Sequence, residues 1–336
     1  LGGSMAGAIA GIEPFATWLY PLAWYSTLAL LEAAVAARDG RFFLFGRPGF
    51  LASALAWSVP FWLLFELVNL RLENWYYVFL PRNSAARWLG IALSFATVIP
   101  AILVMERLLD SLGIAGTLRI RQRRLPSFGI LAGLGAVMLS LSVAWPRAFF
   151  PLVWGGVFLL VDPWVLGHAP ERSLLGDLGR GRPGRILRLL AAGLFVGVMW
   201  EAFNIGARGK WIYTVPGFED FKLFEMPIAG FLGFPFFALE AFAVWQALVV
   251  AGLAVPGEHP SRVSAETLEA FLDLGQRPLG RLARDRAALD SRDRARGVGA
   301  PACTAGQRAD VERRAPDARM RWAARELALE LDQLGE

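Results

Sequence analysis

Residues 61–77 read Phe-Trp-Leu-Leu-Phe-Glu-Leu-Val-Asn-Leu-Arg-Leu-Glu-Asn-Trp-Tyr-Tyr, and residues 196–213 read Val-Gly-Val-Met-Trp-Glu-Ala-Phe-Asn-Ile-Gly-Ala-Arg-Gly-Lys-Trp-Ile-Tyr. Each begins as an apolar run that carries a Glu and an Asn three residues apart, which puts both on one helix face. Each then reaches Trp-x-Tyr. Glu66 and Asn69 recur as Glu201 and Asn204 at a spacing of 135 residues, and Trp75 and Tyr77 recur as Trp211 and Tyr213 at 136. A carboxylate inside an apolar helix of membrane length is costly. Finding it twice, with the same neighbours, marks two copies of one unit.

Working outward, the order of matching blocks is kept. Pro21-Leu22-Ala23-Trp24 followed by Glu32 matches Pro151-Leu152-Val153-Trp154 followed by Asp162, at a spacing of 130. Gly46-Arg47-Pro48-Gly49 returns as Gly181-Arg182-Pro183-Gly184, and Pro100 with Glu106 returns as Pro235 with Glu240. Small loop insertions account for the drift between blocks, so the pattern is a duplication. A spanning helix needs about 20 mostly apolar residues. Such runs lie near 16–38, 49–72, 87–110, 126–145, 148–167, 186–207 and 226–254. The fold expected is therefore an all-α polytopic membrane protein of about seven transmembrane helices. Repeat 1 covers 15–110, a linker helix 111–147, repeat 2 148–254, and a polar tail 255–336.

Composition agrees, because 55% of the chain is hydrophobic and only 19% charged, below the roughly 25% of a soluble domain. Several tryptophans (Trp18, Trp75, Trp88, Trp145, Trp211) fall near span ends, where an amphipathic ring suits the headgroup layer. Trp62 and Trp200 lie inside spans, and a belt role does not cover them. The net charge of +5 does not point to nucleic acid: residues 255–336 hold 14 Arg against 14 Asp/Glu, so the excess belongs to the membrane part. One cysteine and two histidines, His168 and His259, leave no Cys/His metal cluster. No nucleotide loop, nucleophile elbow or dinucleotide fingerprint is present, and no cofactor is expected.

Arginines concentrate after span 1 (Arg38, Arg41, Arg47), span 3 (Arg119, Arg121, Arg123, Arg124) and span 5 (Arg172, Arg180, Arg182, Arg185, Arg188). By the positive-inside rule, these loops are cytoplasmic, the N-terminus is outside and the tail inside. The expected location is a bacterial cytoplasmic membrane, with the first span acting as the insertion signal. An odd linker helix leaves the two copies in the same orientation, related by a pseudo-twofold axis along the membrane normal. The seam between them is the natural cavity.

The expected catalytic group is Glu66, Asn69, Glu201 and Asn204. If the two glutamates face each other across the seam, they share a proton, and a protonated Glu is an acid. The same residues would also serve as helix ties, through Asn, Trp N–H, Tyr O–H or an arginine such as Arg71 or Arg208. Glu32, Asp162 and Glu106 read as structural, as does Glu240, which is also a candidate substrate contact. Trp75, Tyr77, Trp211 and Tyr213 are expected to roof the cavity on the outer side. Glu225, Phe236, Phe237 and Glu240 belong to a last span rich in aromatics, Gly and Pro, read as a kinked helix with close backbone approach. Its ring faces would suit a cation.

A three-helix unit duplicated through a linker, with intramembrane carboxylates and an aromatic third helix carrying Phe236-Phe237, resembles the membrane lycopene cyclase domains of carotenoid pathways, over about residues 15–250. The resemblance implies a membrane lipid or isoprenoid ligand and acid–base ring closure without redox change, of the cyclase or isomerase type. The family's third helix carries Pro-x-Glu-Glu/Asp, whereas here Pro227 is followed by Ile228, Ala229 and Gly230, with Glu225 on the other side. No catalytic residue therefore transfers by position. Two further readings fit the same architecture: a proton-coupled small-molecule transporter, and a membrane scaffold. In the tail, Ser264 is expected to cap a short helix, 275–316 to be largely disordered, and 317–334 to form an amphipathic helix for a protein partner or the membrane surface.

Overall fold

In the computed structural model, residues 10–215 and 221–257 are described, with Gly2, Gly3 and Gly7 near the start. The expected features of the tail beyond residue 257, the helix over 317–334 included, lie outside the described residues.

Six helical stretches are long and apolar enough to cross a membrane: Phe15–Asp39, Pro48–Leu72, Ser84–Ser111, Pro146–His168, Gly184–Gly206 and Ile228–Val250. A seventh, Phe128–Ala144, is apolar and shorter. The chain is an all-α polytopic integral membrane protein, and the expected spans agree with these limits to within a few residues. We label the helices α1 (Phe15–Asp39), α2 (Pro48–Leu72), α3 (Ser84–Phe95), α4 (Val98–Ser111), α5 (Phe128–Ala144), α6 (Val153–His168), α7 (Leu174–Gly179), α8 (Gly184–Gly206) and α9 (Gly233–Val250). In the first repeat α4 packs on α1 and α2; in the second, α9 packs on α6 and α8. The linker helix α5 lies along α6, where Gly135 lets the backbones touch: a Cβ there would stand 2.6 Å from the Leu160 nitrogen.

The third span is broken in both repeats, at matching places. In the first, α3 stops at Phe95 and α4 starts at Val98. The Ser58 hydroxyl of α2, fully buried, donates to the Phe95 carbonyl (2.5 Å) and accepts from the Ile99 N–H (3.0 Å). It thus satisfies backbone groups that the break frees and that lipid could not. In the second, a 3-10 turn over Ile228–Leu232 precedes α9. The residue matching Ser58 is Gly193, and a Cβ there would meet the Phe234 carbonyl at 2.3 Å. One repeat fills the break with a hydroxyl; the other closes it by backbone contact.

Two carboxylates stitch the loops at one end of the bundle to the helices. Glu32 accepts from the N–H groups of Leu44 (2.9 Å) and Phe45 (3.2 Å). Asp162 accepts from Leu174 N (3.1 Å), Leu175 N (2.9 Å) and the Ser173 hydroxyl (2.6 Å). Leu44 and Phe45 stand 130 residues before Leu174 and Leu175, the same spacing as Glu32 to Asp162, so acid and acceptor loop were copied together. Both acids are fully buried, and their structural reading holds.

Candidate functional site

The C-terminal ends of α2 and α8 turn into two short strands, β1 (Trp75–Val78) and β2 (Lys210–Tyr213), where sequence reading expects no strand. The asparagines build these turns. Asn69 donates to the Trp75 carbonyl (2.8 Å) and accepts from the Asn74 N–H (2.9 Å); Asn204 donates to the Trp211 carbonyl (2.9 Å) and accepts from its N–H (3.0 Å). Both amides are spent on backbone, which corrects the catalytic expectation for Asn69 and Asn204: they position the strands.

β1 and β2 pair with each other, antiparallel, with Trp75 opposite Tyr213 and Tyr77 opposite Trp211. Trp75 corresponds to Trp211 in the duplication, and Tyr77 to Tyr213. Residue i of one copy thus faces residue j of the other, and j faces i, as a twofold axis requires. Rings deeper in the bundle follow the same exchange. Trp24 of α1 meets Trp200 of α8 edge-on (centroids 5.9 Å), while its counterpart Trp154 stacks on Phe65 of α2 (5.6 Å, 14°).

Each ribbon tyrosine reaches back to the glutamate of its own copy. The Tyr77 hydroxyl donates to Glu66 at 2.5 Å, and the Tyr213 hydroxyl to Glu201 at 2.9 Å. Beyond that the copies differ. Glu66 also receives the indole N–H groups of Trp62 (2.8 Å) and Trp75 (3.2 Å). Glu201 is fully buried, and its Oε2 and the Trp211 Nε1 have no hydrogen-bond partner among the described residues. The expected arginine ties are made elsewhere: Arg71 donates to the Ala144 carbonyl and Arg208 pairs with Glu13. Burial, first, and the adjacent carboxylate push both the Tyr77 and Tyr213 phenols well above the ordinary tyrosine value, so both stay protonated donors.

These tyrosines form part of the wall of a cavity of about 450 Å³, within the roughly 300–1,000 Å³ of small-molecule pockets. Of the residues expected to bind substrate, Trp75, Tyr77, Trp211, Tyr213, Phe236 and Phe237 line it. Glu225 and Glu240 are placed elsewhere. Glu225 pairs with Lys210 at 3.0 Å. Glu240 accepts from the N–H groups of Gly155 (2.6 Å) and Val157 (3.1 Å), where α6 departs from helical geometry at Trp154 and Gly155; it secures that kink. Glu66 and Glu201 are not in the wall either: they stand behind it, touching the cavity through their tyrosines. Among the described residues no hydrogen bond or ion pair joins Glu66 to Glu201, so the expected face-to-face pair is replaced by two separate Glu–Tyr pairs.

Sequence reasoning missed Trp62, Trp154 and Trp200 as wall residues. The signal was present in Trp62 and Trp200, each inside a span beside a repeated Glu. Glu106, the counterpart of Glu240, does something different again, pairing with Arg188 of α8 at 2.8 Å across the seam. Among the described residues no group of three or more His, Cys, Asp or Glu is arranged to hold a metal ion. No protein-family model, curated protein or solved structure matches the chain.

Proposed function

We propose that this protein is an intramembrane acid–base enzyme acting on an isoprenoid- or carotenoid-like lipid, of the cyclase or isomerase type. The observation that carries this reading is the duplicated Glu–Tyr pair set behind an aromatic cavity. Ring faces stabilise a carbocation, and two proton-handling groups allow one proton to be added to a double bond and another removed from a neighbouring carbon, with no net change in the substrate's composition.

The phenols are the groups that reach the cavity, but a phenol held above its ordinary range is a poor acid alone. On the donating side Glu201 therefore carries the proton and turns its O–H to the phenol oxygen, the reverse of the hydrogen bond in the resting site. The proton leaving Tyr213 for the substrate is replaced from Glu201 in the same step, and the pair acts as a relay. Glu201, with one donor and a free Oε2, suits the donating side. Glu66, with three donors on one oxygen, suits the carboxylate that receives a proton through Tyr77. The arginine-rich loops support an orientation with the N-terminus outside, which puts this cavity in the outer half of the membrane. The resemblance to membrane lycopene cyclase domains makes polyene ends the first substrates to try.

Membranes containing the protein, incubated with polyene and prenyl substrates, are expected to form an isomeric product. Glu201→Gln should lower the yield by about 100-fold or more, the scale of a lost acid–base group. An unchanged yield in Glu201→Gln removes the assignment, and accumulation of unaltered substrate in proteoliposomes would replace it with transport.

A further inference from the structure

Several charges in or near the bundle are ion-paired. Arg188 is matched by Glu106, Arg107 by Asp39, Arg208 by Glu13 and Lys210 by Glu225. Arg87, like the half-buried Arg47, has no such pair. It lies in the first turn of α3, half-buried, and among the described residues it is the only formally charged one in the cavity wall. Its side-chain contact is with the Ser84 hydroxyl at 3.4 Å, long for a hydrogen bond, and no carboxylate pairs with it among the described residues.

A second polar group in the wall is also uncommitted. Asn74 is 4% exposed and lines the same cavity; its backbone is bonded to Asn69 and Thr214, while its side-chain amide makes no hydrogen bond among the described residues. The rest of the wall is mostly aromatic and aliphatic. A guanidinium held against such a surface needs an anion to offset its desolvation. Its planar fork of donors suits a phosphate, which it binds through two parallel hydrogen bonds.

We propose that the cavity takes an amphiphile with a phosphate head held by Arg87 and an apolar chain lying among Trp62, Trp154, Trp200 and Phe237. This rests on the reading of the cavity as the ligand site, and it narrows the substrate class from isoprenoid hydrocarbons to phosphate-headed lipids. The source of the phosphate is either a phosphorylated isoprenoid or a membrane phospholipid, and both share this chemistry.

The wall tryptophans supply the test. The purified full chain in detergent is titrated with geranylgeranyl monophosphate, geranylgeraniol, phosphatidylglycerol and inorganic phosphate, and tryptophan fluorescence is followed. The prenyl phosphate is expected to act at a concentration at least about tenfold below the alcohol, the worth of one charge-assisted hydrogen bond. Inorganic phosphate, lacking the chain, should leave the signal unchanged. Arg87→Gln should abolish the preference for phosphate over alcohol, and Arg87→Lys should keep part of it. If phosphatidylglycerol displaces the prenyl phosphate in wild type but not in Arg87→Gln, the head is a phospholipid's; if it does not compete, the ligand is a phosphorylated isoprenoid. Equal affinities for alcohol and phosphate in wild type, or a preference that survives Arg87→Gln, would overturn the proposal while leaving the cavity as a lipid site. A response to neither lipid would overturn both. Phosphate-dependent binding without any turnover would remove the enzyme reading alone.

Discussion

The two repeats hold the same helices together by different means in the middle of the membrane and by the same means at its two faces. At one face Glu32 and Asp162 bind equivalent loop backbones, and at the other Asn69 and Asn204 turn equivalent strands. Between them the copies part: Ser58 bridges the break in one third span, and Gly193 lets backbone close on the other. The faces are where chain reversals leave backbone groups that must be satisfied without water, and few side chains can do that. Mid-membrane packing has many solutions, and the repeats drifted apart there.

The largest effect that tests this contrast is at the face held by Glu32 and Asp162. Asp162→Ala strands three donors and Glu32→Ala two, and a stranded buried donor costs about 1–3 kcal/mol. Unfolding in mixed micelles should show losses of about 3 kcal/mol or more for Asp162→Ala and about 2 for Glu32→Ala; near-neutral values for both would break the equivalence of the faces. Next comes the middle. Gly193→Ala forces a methyl into the Phe234 carbonyl and is expected to cost about 1–3 kcal/mol, whereas Ser58→Ala strands the Ile99 N–H for about 1–2 kcal/mol. Should Gly193→Ala unfold like wild type, close backbone contact is not what holds that break.

The Glu–Tyr site gives a smaller, asymmetric effect. Tyr213→Phe removes the one hydroxyl donor on Glu201 and is expected to cost about 1 kcal/mol, while Tyr77→Phe leaves Glu66 its two indoles and costs about half as much. Equal losses would erase the distinction between the two Glu–Tyr pairs. The smallest effect lies in alkali. Both phenols are raised on folding, so stability is full below the ordinary tyrosine value of about 10 and declines above it, as unfolded phenols ionise first. Tyr213→Phe should flatten that decline in a pH series of unfolding curves.

Spans and duplication could be read from the chain because hydrophobic length and repeated polar residues are local properties. The break in the first third span was marked locally only by Pro100, the counterpart of Pro235. Residues 84–111 otherwise read as one long span, and the hydroxyl that takes up the backbone groups freed at the break lies 41 residues before Ile99. The second break was visible in Gly230, Gly233 and Pro235, which weaken a helix on their own account. At the site, the Glu, Trp and Tyr of each copy were identifiable as a set. Their arrangement was not, since it depends on the strands at 75–78 and 210–213 pairing across the copies. The role of Glu240 was equally hidden: its partners are backbone N–H groups of α6, 83 and 85 residues away.

That ribbon has a mechanical meaning. Tyr77 sits opposite Trp211, two residues from Tyr213, and Tyr213 sits opposite Trp75, two residues from Tyr77. Neither strand can slide without carrying the other copy's phenol with it. The two hydroxyls are therefore held in one register, and a shift of either strand disturbs the backbone pairing that positions its twin.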